Sequence, residues 1–118
     1  MKNYKKLKIW QKGMDLVFDV YQLASQLPPE EKFGLRSQVT RAVVSIPSNI
    51  AEGSAKTSKK DYKNYLEISL ASAYEVETQV LIIDRLNFGT KELRDKLLSE
   101  LDEEQRMISS FIKSVKAL

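Results

Sequence analysis

The 118-residue sequence predicts an all-α protein, an antiparallel up-down-up-down four-helix bundle forming one domain over residues 1–118. Apolar residues recur at spacings of three and four in four separate stretches, which is the period of one helix face. Short segments rich in proline, glycine or capping residues separate the stretches, and they are too small to be domain linkers. The sequence carries no strand alternation and no Asn-Gly hairpin signal. A chain of this length buries a single core.

The first stripe is Leu7, Trp10, Met14, Val17, Tyr21 and Ala24. "LPPEE" closes it: Pro28 and Pro29 cannot extend a helix, yet proline suits the first turn of the next, where Glu30 and Glu31 meet the positive end of its dipole. The second helix is therefore expected to begin there, to turn Leu35, Val39, Ala42, Ile46 and Ile50 inward, and to end at Gly53 with Ser54. Ser58, with Asp61 three residues on, caps the third helix, whose stripe is Tyr62, Leu66, Ser69, Ala73, Val76, Val80 and Ile83. "NFG" ends it, with Asn87 or Gly89 supplying a left-handed residue. Thr90 then caps a fourth helix carrying Leu93, Leu97, Leu101, Ile108, Phe111 and Val115, a stripe that Glu104 interrupts. Each helix is expected to run for roughly twenty-five residues, or about 35 Å.

Pro47 falls inside the second helix. Ile46 and Ile50 keep a spacing of four across it, so the sequence predicts one helix kinked at Pro47. An interior proline costs roughly 3 kcal/mol and frees the carbonyl of Val43. Ser45, Ser48 and Asn49 are placed to satisfy freed backbone groups. The simplest role of the kink is to shape the bundle, and the sharper one is to bend a face toward a subunit or ligand.

Composition narrows the chemistry. There is no cysteine and no histidine, which removes disulfides, thiolate and histidine catalysis, and the usual zinc and di-iron ligand sets. No enzyme activity, cofactor or metal is expected. Glu100, Asp102, Glu103 and Glu104 crowd one region and are simplest as a solvated acidic face. Arg41, Asn49 and Glu52, beside the proline, are expected to hydrogen-bond between helices or subunits. Trp10 and Tyr21 are expected in the core, leaving Tyr4 as the aromatic set among lysines. The basic start lacks the apolar run of an export signal, and no stretch approaches the ~18 apolar residues of a membrane span, so a cytoplasmic protein is expected.

"LKIWQKGMDLVFDVY", "LPPEEKFGLRSQVTRAVVSIPSNIAEG" and "YKNYLEISLASAYEVETQ" resemble successive signatures of the four-helix-bundle proteins encoded by intervening sequences in bacterial 23S ribosomal RNA genes. The resemblance runs from Leu7 to Leu86, with Pro47, Ser48, Asn49, Glu52 and Gly53 in its most specific motif. That family is similar in turn to the accessory variability protein of diversity-generating retroelements, a pentameric barrel with a basic surface that works with a reverse transcriptase. The resemblance implies a four-helix bundle, a homopentamer, RNA or DNA as a partner and a nucleic-acid enzyme as a further one.

Charge agrees with an anionic partner. Residues 1–63 hold 12 basic and 6 acidic residues, whereas residues 64–118 hold 7 basic and 10 acidic, giving nets of +6 and −3. Up-down topology would gather Lys2, Lys5, Lys6, Lys8, Lys56, Lys59, Lys60, Lys63, Lys113 and Lys116 at one end, with Arg41 as a secondary candidate. Ile9, Leu16, Leu23, Val43, Leu70, Ile82, Leu98 and Ile112 lie off the main stripes; some only widen a core-facing stripe, and the others suggest a subunit interface. The expected function is a non-enzymatic homo-oligomer binding structured nucleic acid, RNA first, through that basic end. A protein-interaction adaptor is the alternative.

Overall fold

Four amphipathic stripes become four α-helices in the computed structural model, which describes residues 3–117. They are α1 (Lys8–Ser25), α2 (Leu35–Ser54), α3 (Lys59–Arg85) and α4 (Lys91–Ala117), and a short 3₁₀ turn, Tyr4–Lys6, precedes α1. At 18 and 20 residues α1 and α2 are shorter than expected, while α3 and α4 reach 27 each. Each helix packs on two others: α1 on α2 and α4, α3 on α2 and α4. Along α2 and α3 the paired positions run in opposite senses, since Ser45 meets Ser72 while Gly53 lies against Tyr62 and Tyr65. The bundle measures 46 × 24 × 20 Å.

The expected stripe of α3 is buried along its whole length, as are Val39, Ala42, Ile46 and Ile50 of α2 and Leu93, Leu97, Leu101, Ile108 and Val115 of α4. The α1 stripe differs. Its buried residues are Ile9, Gly13, Leu16, Val20, Leu23 and Ala24, while Trp10 and Val17 are half-buried and Tyr21 is exposed. A glycine occupies one seam position, so apolar counting favoured the neighbouring row. Ile9, Leu16, Leu23, Val43 and Ile112 are therefore core residues and not interface candidates, and Leu70 and Leu98 are half-buried against that core.

Helix boundaries differ in one place. The prolines open a separate 3₁₀ turn, Pro29–Glu31, and α2 starts later, at Leu35 after Gly34. Glu31 still caps it, because its Oε1 accepts from the Leu35 amide at 3.2 Å. The other caps follow the sequence. Ser58 accepts from the Asp61 amide at 3.1 Å, Thr90 accepts from the Leu93 amide at 3.4 Å, and Asn87 and Gly89 both take positive φ, 58° and 69°.

α2 continues through Pro47 to Ser54, with Ala55 as its C-cap. Gly53 lies inside the helix and not at a left-handed cap. Its lack of a side chain matters for another reason: a Cβ there would sit 2.7 Å from Cβ of Tyr65 and 3.2 Å from Cδ1 of Tyr62. Gly53 is thus the close-approach point of α2 on α3. The polar residues around the proline stitch the same two helices. Ser69 donates to the Ile46 carbonyl at 2.8 Å, the Ser45 and Ser72 hydroxyls are 2.8 Å apart, and Asn49 Nδ2 donates to the carbonyl and hydroxyl of Ser45, each at 2.8 Å. These bonds reach the carbonyls of Ser45 and Ile46, two and three residues beyond the Val43 carbonyl that Pro47 frees. Ser48 is exposed.

Candidate nucleic-acid interface

One end of the bundle gathers the lysines. Lys6 and Lys8 border a groove with Met107, Phe111 and Ser114 of α4, and Phe111 packs edge-on to Tyr62 with ring centroids 6.0 Å apart. Tyr62 and Tyr65 in turn meet Gly53, and Lys56 Nζ lies 5.1 Å from the centroid of the Tyr65 ring. The start of α1, the α2–α3 turn and the last turns of α4 therefore meet. Lys5, Lys6, Lys8, Lys59, Lys60, Lys113 and Lys116 are exposed there, with Lys56 and Lys63 half-buried. Lys2 lies outside the described residues. Glu52 and Asp61 are the acids of the α2–α3 turn.

The helix dipole sharpens this arrangement. Lys8 opens α1 and Lys59 and Lys60 open α3, although the N-terminus of a helix carries partial positive charge and favours anions, by about 0.3–1 kcal/mol per group. Asp61, in the first turn of α3, is the one acid there with the favoured sign. Lys113 and Lys116, near the end of α4, have the ordinary orientation and also complement its dipole.

Other candidates stand apart. Arg41 lines a groove between α2 and α3 with Phe33, Gln38, Ser45, Ser72 and Glu75. It is twelve residues before Gly53, roughly 18 Å along the helix from the lysine end. Glu52 is exposed, and Asn49 spends its amide within its own helix. Tyr4 is not free among its lysines: its ring stacks edge-on to Trp10 at 5.4 Å, with Lys5 Nζ 6.0 Å from its centroid.

The acidic region divides in two. Asp102 and Glu103 are exposed, and Glu103 and Glu100 converge on Lys12 at 3.2 and 3.7 Å. Glu104, by contrast, is wholly buried, and neither carboxyl oxygen has a hydrogen-bond partner. Gly13 explains how it fits, since a Cβ on that glycine would lie 3.2 Å from Glu104 Oε2 and 3.4 Å from both Cγ2 of Ile46 and Cβ of Pro47. The acid fills the notch left by the α1 glycine, beside the proline of α2. Burial pushes its carboxyl up to about 8, with Glu103 adding to the rise and Lys12 opposing it. The interruption in the α4 stripe was the sequence signal for this residue, and only the opposing glycine shows that it points inward. No group of three acidic side chains arranged to hold a metal ion occurs among the described residues, and none of their helices is long and apolar enough to cross a membrane.

Residues 5–110 match the family of 23S rRNA-intervening sequence proteins. The chain belongs to that family. A crystal structure of a protein of unknown function from the S23 ribosomal protein family of Bacteroides thetaiotaomicron is similar to this member, with a TM-score of 0.81 and 27% identity over 89% of this chain and 95% of the other. No curated protein matches. Family membership accounts for the motif around Pro47 and for the bundle. It brings no catalytic assignment with it.

Proposed function

We propose that this family member is a non-enzymatic homo-oligomer that binds structured nucleic acid, RNA in the first place, through the lysine-bearing end of its bundle. The observation that carries this reading is the convergence of Lys5, Lys6, Lys8, Lys59, Lys60, Lys113 and Lys116 from three chain segments onto one end, against the dipoles of α1 and α3. Lysines on exposed turns make phosphate contacts that position a strand, and they carry little base information. Copies assembled side by side with this end in common, five by the family resemblance, would join their lysines into a positive rim.

Fluorescence anisotropy with a labelled RNA hairpin tests the reading. Reversal of Lys5, Lys6, Lys59 and Lys60 to Glu should abolish binding while circular dichroism stays that of the parent. Binding by the parent should fall by roughly 0.7–0.9 log unit per log unit of salt for each phosphate neutralised. A folded reversal variant that binds like the parent would move the contact surface elsewhere.

A protein-binding adaptor is the second reading. It is favoured by one observation, the half-exposed apolar side chains Ile68, Ile82 and Leu86 along one flank of α3. The same flank serves self-association equally well. Loss of RNA binding with intact assembly, against loss of both, separates the two roles.

A further inference from the structure

The two most exposed aromatic rings of the bundle belong to surfaces that cannot meet within one chain. Phe18 of α1 is 68% exposed, with Tyr21 three residues after it at 52% and exposed Asp15 three residues before it. Residues three apart are neighbours on a helix surface, so the three form one ridge. Phe33, at 87%, stands at one end of a groove of about 510 Å³ whose walls are Ser37, Arg41 and Ser45 of α2 and Ser72 and Glu75 of α3. Among the described residues α1 packs on α2 and α4 but not on α3, which puts the ridge and the groove on different sides of the bundle.

The two surfaces match in charge and in spacing. Asp15 and Arg41 are exposed, and neither has an ion-pair partner among the described residues. Glu75, across the groove from Arg41, already accepts from Gln79 Nε2 at 3.2 Å. Arg41 and Phe33 are eight residues apart and Asp15 and Tyr21 six, each roughly two turns. Since α1 runs away from the lysine end and α2 runs toward it, Asp15 and Arg41 are the members of each pair nearer the lysines. A second copy laid in the groove with its lysines at the same end therefore sets Asp15 at Arg41 and Tyr21 at Phe33 together, with Phe18 between them. Turned end for end, it sets the acid at the ring and forfeits the ion pair. Contact between unlike surfaces is head-to-tail, the kind that closes into a ring.

We infer that Asp15, Phe18 and Tyr21 of one copy dock in the α2–α3 groove of the next, with Asp15 paired to Arg41 and Tyr21 against Phe33. This rests on the self-association in the reading above and adds the two surfaces that meet and the orientation that puts successive lysine ends on one side. Light scattering on size exclusion, with circular dichroism as the check on folding, is to be run on the parent, Asp15→Arg, Arg41→Asp and the double exchange. Each single exchange sets like charges face to face and should reduce the mass to one protomer, and the double exchange should regain the parent mass. The chain has no cysteine, so a disulfide can report the contact independently. Phe18→Cys and Ser37→Cys proteins, oxidised alone and as an equal mixture, should give a cross-linked pair only in the mixture. Phe18→Cys cross-linking to itself would mean that two ridges meet, and a mixture no more cross-linked than its components would mean that ridge and groove do not; either overturns the inference. Parent mass in both folded single exchanges would overturn it too and leave self-association standing. A parent of one protomer mass would remove self-association and this contact together.

Discussion

Glu104 ties three helices together through chemistry that is unfavourable once it ionises. Its carboxyl lies in the notch of Gly13, shut away from water and without a hydrogen-bond partner, and burial raises its titration from the ordinary glutamate value, 4.5, to about 8. The sign of the pH effect follows. Between those two values the unfolded chain has released the proton and the folded chain holds it, so the native state binds more protons and stability falls as pH rises. The contribution is whole below about pH 4.5, declines by about 1.4 kcal/mol per pH unit, and is lost above about 8. Urea denaturation from pH 5 to 9 should therefore show parent stability falling relative to Glu104→Gln, whose amide does not titrate in that range. Parallel curves for the two proteins would mean that the carboxyl reaches water in solution. From sequence, Glu104 was grouped with its acidic neighbours because composition at four nearby positions says nothing about which way each side chain turns.

At the scale of the helix, the seam between α2 and α3 depends on small residues. Gly53, Ser45, Ser69 and Ser72 bring the two backbones close and bond across the gap. Gly53→Ala forces a Cβ to within 2.7 Å of Tyr65 Cβ, an atom fixed to the α3 backbone. The helices must separate, and overpacking of this kind costs about 1–3 kcal/mol. Thermal melting should fall accordingly, and an unchanged midpoint would show that the seam has slack. This contact also marks what sequence could reveal. Stripes dense in aliphatic residues, as in α3, located their helix and its buried face correctly, and so did the caps at Ser58 and Thr90. The buried face of α1 escaped because its seam contains Gly13, and the start of α2 escaped because Pro29, Glu30 and Glu31 suit a 3₁₀ turn as well as a first helical turn. The lysine cluster was legible because helix order and short turns determine which ends meet. The groove that Tyr74, Gln105 and Ser109 share was not, since these residues become neighbours only through the relative rotation of α3 and α4.

For the molecule as a whole, the apolar surface left outside the core bears on assembly. Ile82 is the off-stripe residue that is exposed, and with Ile68 and Leu86 it leaves three half-exposed apolar side chains on one flank of α3. Exposed apolar side chains grouped on one helix flank suit a subunit contact. Light scattering coupled to size exclusion should give several protomer masses for the parent, and Ile82→Glu with Leu86→Glu should give a folded species of lower mass. A parent that elutes as one protomer at micromolar concentration would remove the rim on which the proposed binding surface depends. One end of the bundle is fastened by side-chain bonds that cross between helices. Away from the lysines, Gln26 Oε1 accepts from the Thr90 amide at 2.9 Å, and buried Arg94 reaches the Asp84 carbonyl at 3.3 Å and Asn87 Oδ1 at 3.1 Å. Helix ends fray unless they are tied, and these bonds tie the end of α1 to the start of α4 and the start of α4 to the end of α3. Amide hydrogen exchange around Leu23 and Leu93 should accordingly quicken in Gln26→Ala and Arg94→Ala, and exchange unchanged by both substitutions would contradict this. The bundle behaves there as a clothes-peg behaves at its spring, where a few bonds decide how readily the arms part.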